Sequence, residues 1–452
     1  MNVTLKFALI AACVLAPLAA GAQTADNLAA LKGLAPVAVL PNSPAGQAAL
    51  AANFAVTGGV QTGALRRPTL LPFADQQQQA LKDVFITGGN LAELADGLGT
   101  TLGGAYVARA HYLDRARFTN VSQNVADVIA YALATTGANS NSGKYFFANA
   151  TIDGKTPVSD QAAAILKDEK GATDVFGVAY GRPRGSPGAD AYGDSRPFQT
   201  EPNFAAIAGP DYFNVPSDNF VYNRGPAMNL ADSPSFPSGH TTYGYTGALL
   251  LALLTPERYP QMIARGAEYG DDRIIVGAHY AMDVIAGRTL ATYDVAHLLA
   301  NDPAYVGQTL KGAPAIADFP AALKAARADL VAALQAGCGD TIANCARADT
   351  SRFNDAAADE AFVAATLTYG LPVVYPKAAE GSEDVATLAP EAGYLLTVAF
   401  PSLSLADADR ILTETEGPGG GFLDDGVSPF GVYSRLNLYA AAELAIERTA
   451  GK

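Results

Sequence analysis

With 452 residues, 49% of them hydrophobic and 16% charged, the chain is long enough for a substantial core and too apolar for wholesale disorder. Its 44 acidic against 30 basic residues leave a formal charge of -14. That balance excludes a nucleic-acid backbone as the main partner, because no broad basic surface is available to displace counterions, but a few convergent arginines still suffice for a small anion.

The first 22 residues read as a secretory signal. They hold one lysine, an apolar stretch and a small-residue end at Ala20-Gly21-Ala22, with cleavage expected before Gln23. A periplasmic or secreted location is therefore expected, with a lipid anchor at Cys13 as the second reading. Beyond Asn27 no apolar run has the length and continuity of a transmembrane helix, so no spanning segment is expected in a soluble mature chain. After the leader only Cys338 and Cys345 remain. In an oxidising compartment they read as a local disulfide, the alternative being two buried thiols, and without nearby histidines they make a poor zinc site.

In chain order, the alanine-, leucine- and glutamine-rich segment from Gln76 to Ala110 suits helices broken or bent by its glycines. Apolar residues recur at helical spacing from Val121 to Leu133. Ser159-Asp160 starts a further helix and Gly171 stops it. From Tyr180 to Met228 the composition turns to Gly, Pro, Asp and Asn, the mark of a long ordered loop. Helices are expected again over 241–254, 260–268 and 278–298, with a break at Pro256 to Pro260. Beyond Asp302 more helical sequence follows, ending in a helix after the turn GPGGGFLDDGVSPFG. That turn lacks the lysine and spacing of a phosphate loop. Strand-like alternation is rare throughout, so the fold class is mostly α.

The residues able to do chemistry cluster in the middle. In FPSGHTTYGYTGALL, Pro237-Ser238-Gly239-His240 opens an apolar helix, whose unpaired N-terminal amides can bind an anion with Ser238 adding a hydroxyl. The plainer reading is that Ser238 or Thr241 merely caps the helix. His279 and Asp283, four residues apart, share one face of a helix, so the carboxylate can orient the imidazole and leave its other nitrogen as a nucleophile. Arg273 lies six residues before His279, and a turn around Val276-Gly277 must bring the two together. Arg196, Arg182 and Arg184 are further candidates to hold an oxyanion, because a guanidinium donates bidentate, charge-assisted hydrogen bonds.

On these residues the sequence resembles the PAP2 superfamily, which includes bacterial class A acid phosphatases, lipid phosphatases and vanadium-dependent haloperoxidases. Its pattern is a lysine, six residues, then Arg-Pro; later Pro-Ser-Gly-His; later Ser-Arg, five residues, His, three residues, Asp. Positions 237–240 match in full, Arg273, His279 and Asp283 keep both internal spacings, and Arg196-Pro197 is the best match to the first part. The resemblance implies a helical bundle with long functional loops, with His279 as nucleophile, Asp283 orienting it and His240 as general acid. Arg196, Arg273, Ser238 and the Gly239 amide would hold the oxyanion.

Two positions depart from the pattern. Asp272 stands where serine is usual, and Ala189 where the lysine is expected. Arg182, Arg184, Lys167 and Lys170 are the substitutes the sequence offers. The resemblance covers roughly 181–288 and is taken as a catalytic domain over 23–302. Residues 303–452 form a helical extension read as a packed unit, a substrate-facing lid or an oligomer surface. His111 and His297 read as helix-surface or core-edge residues. The expected activity is metal-independent hydrolysis of small phosphate monoesters by an exported acid phosphatase, without a cofactor. The competing readings are a haloperoxidase holding vanadate and a non-catalytic anion-binding protein.

Overall fold

The computed structural model describes residues 25–84, 90–110, 119–201, 207, 209 and 230–450. The leader, His111 and most of the loop expected after Tyr180 lie outside the described residues. Within them the fold is a helical bundle without a β-strand; one isolated bridge joins Thr151 and Pro157.

The helices that frame the site are α1 (Pro44–Gln61), α2 (Phe73–Lys82), α3 (Gln123–Asn149), α4 (Gly239–Leu254), α5 (Tyr259–Ile275) and α6 (Ala281–Leu299). The hydrophobic helix α4 is central: every residue from His240 to Leu254 is buried, as expected of a helix apolar on all sides. Helices α3, α5 and α6 pack around it.

Helix α3 outruns its sequence signal. Its apolar spacing fades near Leu133, yet the helix continues to Asn149. Small residues there serve close packing instead. A Cβ on Gly143 would stand 2.9 Å from Pro237 Cδ, so glycine at this position lets the Pro237-Ser238-Gly239 turn lie directly on α3.

The C-terminal part continues the bundle as α7 (Phe319–Cys338), α8 (Ala356–Thr368), α9 (Pro429–Arg435) and α10 (Leu438–Thr449). Helices α8 and α10 pack on α5, α9 packs on α6, and Phe319, Leu330, Phe362 and Tyr439 join one hydrophobic cluster with Leu249 and Met262. Buried Arg288 of α6 fastens the junction by donating to the carbonyls of Thr366, Leu367 and Ser434 at 2.8–3.1 Å. It thereby satisfies orphan carbonyls at the end of α8. Cys338 and Cys345 form a disulfide. No helix among the described residues is long and apolar enough to cross a membrane.

Candidate active site

Three chain segments meet at His279. The first ends α5. Gly277 adopts φ +69°, and the amides of Ala278 and His279 both donate to the carbonyl of Arg273, at 3.0 and 3.1 Å. The turn needed between Arg273 and His279 is thus a glycine-terminated helix end.

Helix α6 begins at Ala281, so His279 precedes the helix instead of sharing its face with Asp283. The reason is capping. Asp283 Oδ2 accepts the amide of Tyr280 at 2.9 Å, as a third-position acidic residue does at a helix start. From α1, Thr57 Oγ1 and Asn53 Oδ1 accept the next two amides, of Ala281 and Met282, at 3.1 and 2.9 Å. Held this way, Asp283 Oδ2 also accepts the hydroxyl of Ser235 and lies 3.4 Å from His279 Nδ1. Burial pushes the Asp283 carboxyl up to about 7, against the opposing pull of Ser235, the Tyr280 amide and Arg196.

The second segment is the turn before α4. Ser238 caps the helix, its hydroxyl accepting the Thr241 amide at 3.0 Å and donating to Thr241 Oγ1 at 2.8 Å. Its amide donates to the carbonyl of Asp283 at 3.1 Å, which ties the turn to α6. The amides of Gly239 and His240, first in the helix, have no intrahelical acceptor. His240 Nδ1 stands 3.0 Å from His279 Nε2.

The third segment carries Arg196, fully buried. Its guanidinium is fixed by Ser233 O at 2.6 Å, Ala278 O at 2.8 Å and Pro234 O at 3.0 Å, and Nη1 lies 3.0 Å from His279 Nε2. Burial draws its pKa down to about 10 despite Asp283 and Asp190. Both imidazoles are held well below the ordinary histidine value, chiefly by burial, with the cations Arg196, Arg273 and Lys144 adding to it.

The remaining expected residues fall into two groups. Arg273 is buried; it donates to Tyr269 O and Ala80 O at 3.3 and 3.2 Å and lies 4.7 Å over the Tyr269 ring, reaching the histidines through its charge. Arg182 and Arg184 are exposed. Arg182 Nε donates to Gln199 O, while the backbone amide of Arg184 donates to Asp174. Lys167 and Lys170 are also exposed, on and beyond the helix Asp160–Asp168. At Asp272, burial, with Asp83 and Glu268 beside it, drives the carboxyl well above the usual range, against the pull of Arg273.

Sequence reasoning missed Ser235 and Lys144. Ser235 lies three residues before Ser238, and its proximity was its only signal. Lys144 had none, because it sits on α3, well upstream of Arg196. Its amine would be 3.1 Å from a Cβ on Gly239, and burial with Arg196 nearby lowers it to about 7, against Asp190. Among the described residues no group of three or more His, Cys, Asp or Glu could hold a metal ion. His297 is elsewhere, 2.8 Å from Asp302 and stacked on Tyr305.

Residues 191–302 match the family model of the PAP2 superfamily. A non-specific acid phosphatase of Salmonella typhimurium is 45% identical over 69 residues, 15% of this chain and 28% of that protein. An acid phosphatase of Zymomonas mobilis is 38% identical over 84 residues, 19% of this chain and 32% of the relative. A lipid A 1-phosphatase of Rhizobium etli is 40% identical over 80 residues, 18% and 33% of the two chains. The chain therefore spans about a third of the length of these relatives. Arg196, Ser235, Ser238, His240, Arg273, His279 and Asp283 all fall inside 191–302, the stretch that matches the PAP2 superfamily model.

Proposed function

We propose that the protein is an exported acid phosphatase that hydrolyses phosphate monoesters through a phosphohistidine at His279, without a metal. The observation that carries this reading is the meeting of Arg196 Nη1 and His240 Nδ1 at a single atom, each 3.0 Å from His279 Nε2. A nucleophile, an acid and an anion clamp thereby share one reaction centre, and similarity to acid phosphatases supports the same chemistry.

Neutral His279 attacks phosphorus through Nε2 while Asp283 accepts a hydrogen bond from Nδ1 and stabilises the developing imidazolium. The phosphorus–oxygen bond to the alcohol breaks, and His240 gives its proton to the departing oxygen. Water then attacks the phosphohistidine and passes a proton to His240, releasing phosphate and restoring both rings. The cations that hold His240 neutral are offset when a phosphate dianion binds among them, which restores the protonated acid. Arg196 and the first amides of α4 stabilise the charge spread over the equatorial oxygens.

The test is hydrolysis of p-nitrophenyl phosphate after exhaustive chelation. The wild type should turn over and His279→Ala should lose at least about a thousandfold in kcat, as expected for removal of a covalent nucleophile. Turnover by that variant at the wild-type rate would reject the mechanism.

A further inference from the structure

Asp283 meets its neighbours through one of its two oxygens. The Ser235 hydroxyl and the Tyr280 amide donate to Oδ2, and His279 Nδ1 lies 3.4 Å from the same atom. The buried Oδ1 has no hydrogen-bond partner among the described residues. An interior carboxylate depends on its donors, because burial penalises the charge. Burial raises the Asp283 carboxyl, and the Ser235 hydroxyl is the foremost influence opposing it, ahead of the Tyr280 amide and Arg196.

The hydroxyl is delivered by a strap over 233–236. Arg196 grips this strap through Ser233 O at 2.6 Å, Pro234 O at 3.0 Å and Ser233 Oγ at 3.2 Å. The Ser235 amide donates to Asp194 O at 2.8 Å, and the buried Phe236 ring packs on Phe147 and Phe176. Ser235 is itself fully buried, so its hydroxyl cannot exchange Asp283 for bulk water. Three residues on, the Ser238 amide holds the main-chain carbonyl of Asp283 at 3.1 Å. One strap thus fastens both ends of the aspartate and ties it to Arg196. The titratable groups facing Asp283 are Arg196, His279, Asp194, Tyr180 and Tyr280. The two phenols donate elsewhere, Tyr180 to Leu50 O at 2.9 Å and Tyr280 to Ser195 O at 3.0 Å.

We propose that Ser235 is a positioning residue of the reaction, its hydroxyl holding Asp283 Oδ2 charged and in place behind His279 Nδ1. The effect on turnover rests on the phosphatase reading; the hold on the carboxyl does not. Ser235 acts through Asp283 and reaches neither the anion nor the leaving group.

NMR titration of isotope-labelled aspartate carboxyls, with Asp283→Asn locating the resonance, reads the carboxyl directly in wild type, Ser235→Ala, Ser235→Thr and Ser235→Cys. Ser235→Ala should move the titration upward by about one pH unit, the ordinary worth of a hydrogen bond to a charged group. Ser235→Thr keeps the hydroxyl and should titrate as wild type. Ser235→Cys, nearly the same size but a weaker donor, should fall between, and it carries the test if the emptied site does not fold. In p-nitrophenyl phosphate kinetics the acidic limb of kcat/KM should follow the resonance, so that rates below it fall about tenfold. Above the limb, inhibition by inorganic phosphate should stay within about twofold of wild type, since a contact to the anion would cost more. A merely structural hydroxyl would lower the melting temperature and leave the limb in place. An unmoved resonance in Ser235→Ala overturns the inference, and intact turnover then leaves the phosphatase reading standing. An equal upward move in Ser235→Thr also overturns it, because packing and not the hydroxyl would be the cause. An upward move in Ser235→Ala of a protein whose wild type hydrolyses no monoester supports the hold on Asp283 and overturns the phosphatase reading.

Discussion

His240 Nδ1 lies 3.0 Å from Nε2 of His279, across 39 positions of sequence. Among the described residues Asp283 lies behind His279, 3.4 Å from Nδ1, and on the proposed mechanism His240 is the group that protonates the leaving oxygen. His240→Asn should therefore slow hydrolysis by about 10²–10⁴-fold for an alkyl phosphate, the usual worth of a general acid. The loss should be much smaller for p-nitrophenyl phosphate, whose leaving group needs little protonation. Equal losses on the two substrates would remove His240 from the acid role.

The pH profile has two opposed contributions. Burial and Arg196 bring the Lys144 amine from 10.5 down to about 7, so it is charged below that pH and neutral above it. Anion capture, and with it kcat/KM, should fall as pH rises through about 7. Asp283, raised by burial to about 7, is ionised only above that pH, and its loss of charge on acidification forms the other limb. Since kcat/KM reports the free enzyme, a narrow bell near neutrality is expected. Lys144→Arg, whose guanidinium stays charged, should move the alkaline limb upward and leave the acidic one in place. A pH–rate series on the two proteins decides it.

Asn53 and Thr57 act at a distance from the reacting atoms. By accepting the amides of Met282 and Ala281 they hold the start of α6 and so the orientation of Asp283. Asn53→Ala should cost about 1–3 kcal/mol of stability, the penalty of a buried amide left unpaired. It should lower kcat more than it raises KM, because substrate contacts remain. Denaturant melts and steady-state kinetics on this one variant measure both.

Beneath the site, fully buried Arg265 binds Asp83 through two bonds of 2.6 and 2.7 Å and Asp96 through a third of 2.7 Å. It ties α5 to α2 and to the turn before Thr100. Arg265→Ala should destabilise by about 3–5 kcal/mol, since uncompensated carboxylates remain in the interior. The loss should be worse at neutral than at acid pH, where Asp96, whose carboxyl is held low against its burial by Arg265 and Arg352, can protonate once Arg265 is gone. Thermal melts at the two pH values provide the measurement.

What the sequence determined by itself was local. It gave the helical class, the apolar helix opening at Gly239, the glycine turn between Arg273 and His279, and the spacing that places a carboxylate behind an imidazole. Each depends on residues within a turn or two of one another, where periodicity, capping and backbone freedom are written in the order of residues. Where α6 begins was misread for a physical reason. Asp283 serves the Tyr280 amide, and Asn53 and Thr57 of a distant helix accept the next two, so the helix starts two residues past His279. The tertiary structure alone decided that Arg196 reaches His279, that Ser235 backs Asp283, and that burial beside Asp83 and Glu268 raises the Asp272 carboxyl. It also decided that Ser140 and Lys144 stand opposite Gly239. Their place follows from the missing side chain of Gly143, which lets Pro237 settle against α3, and such packing between remote segments leaves no periodic trace in either.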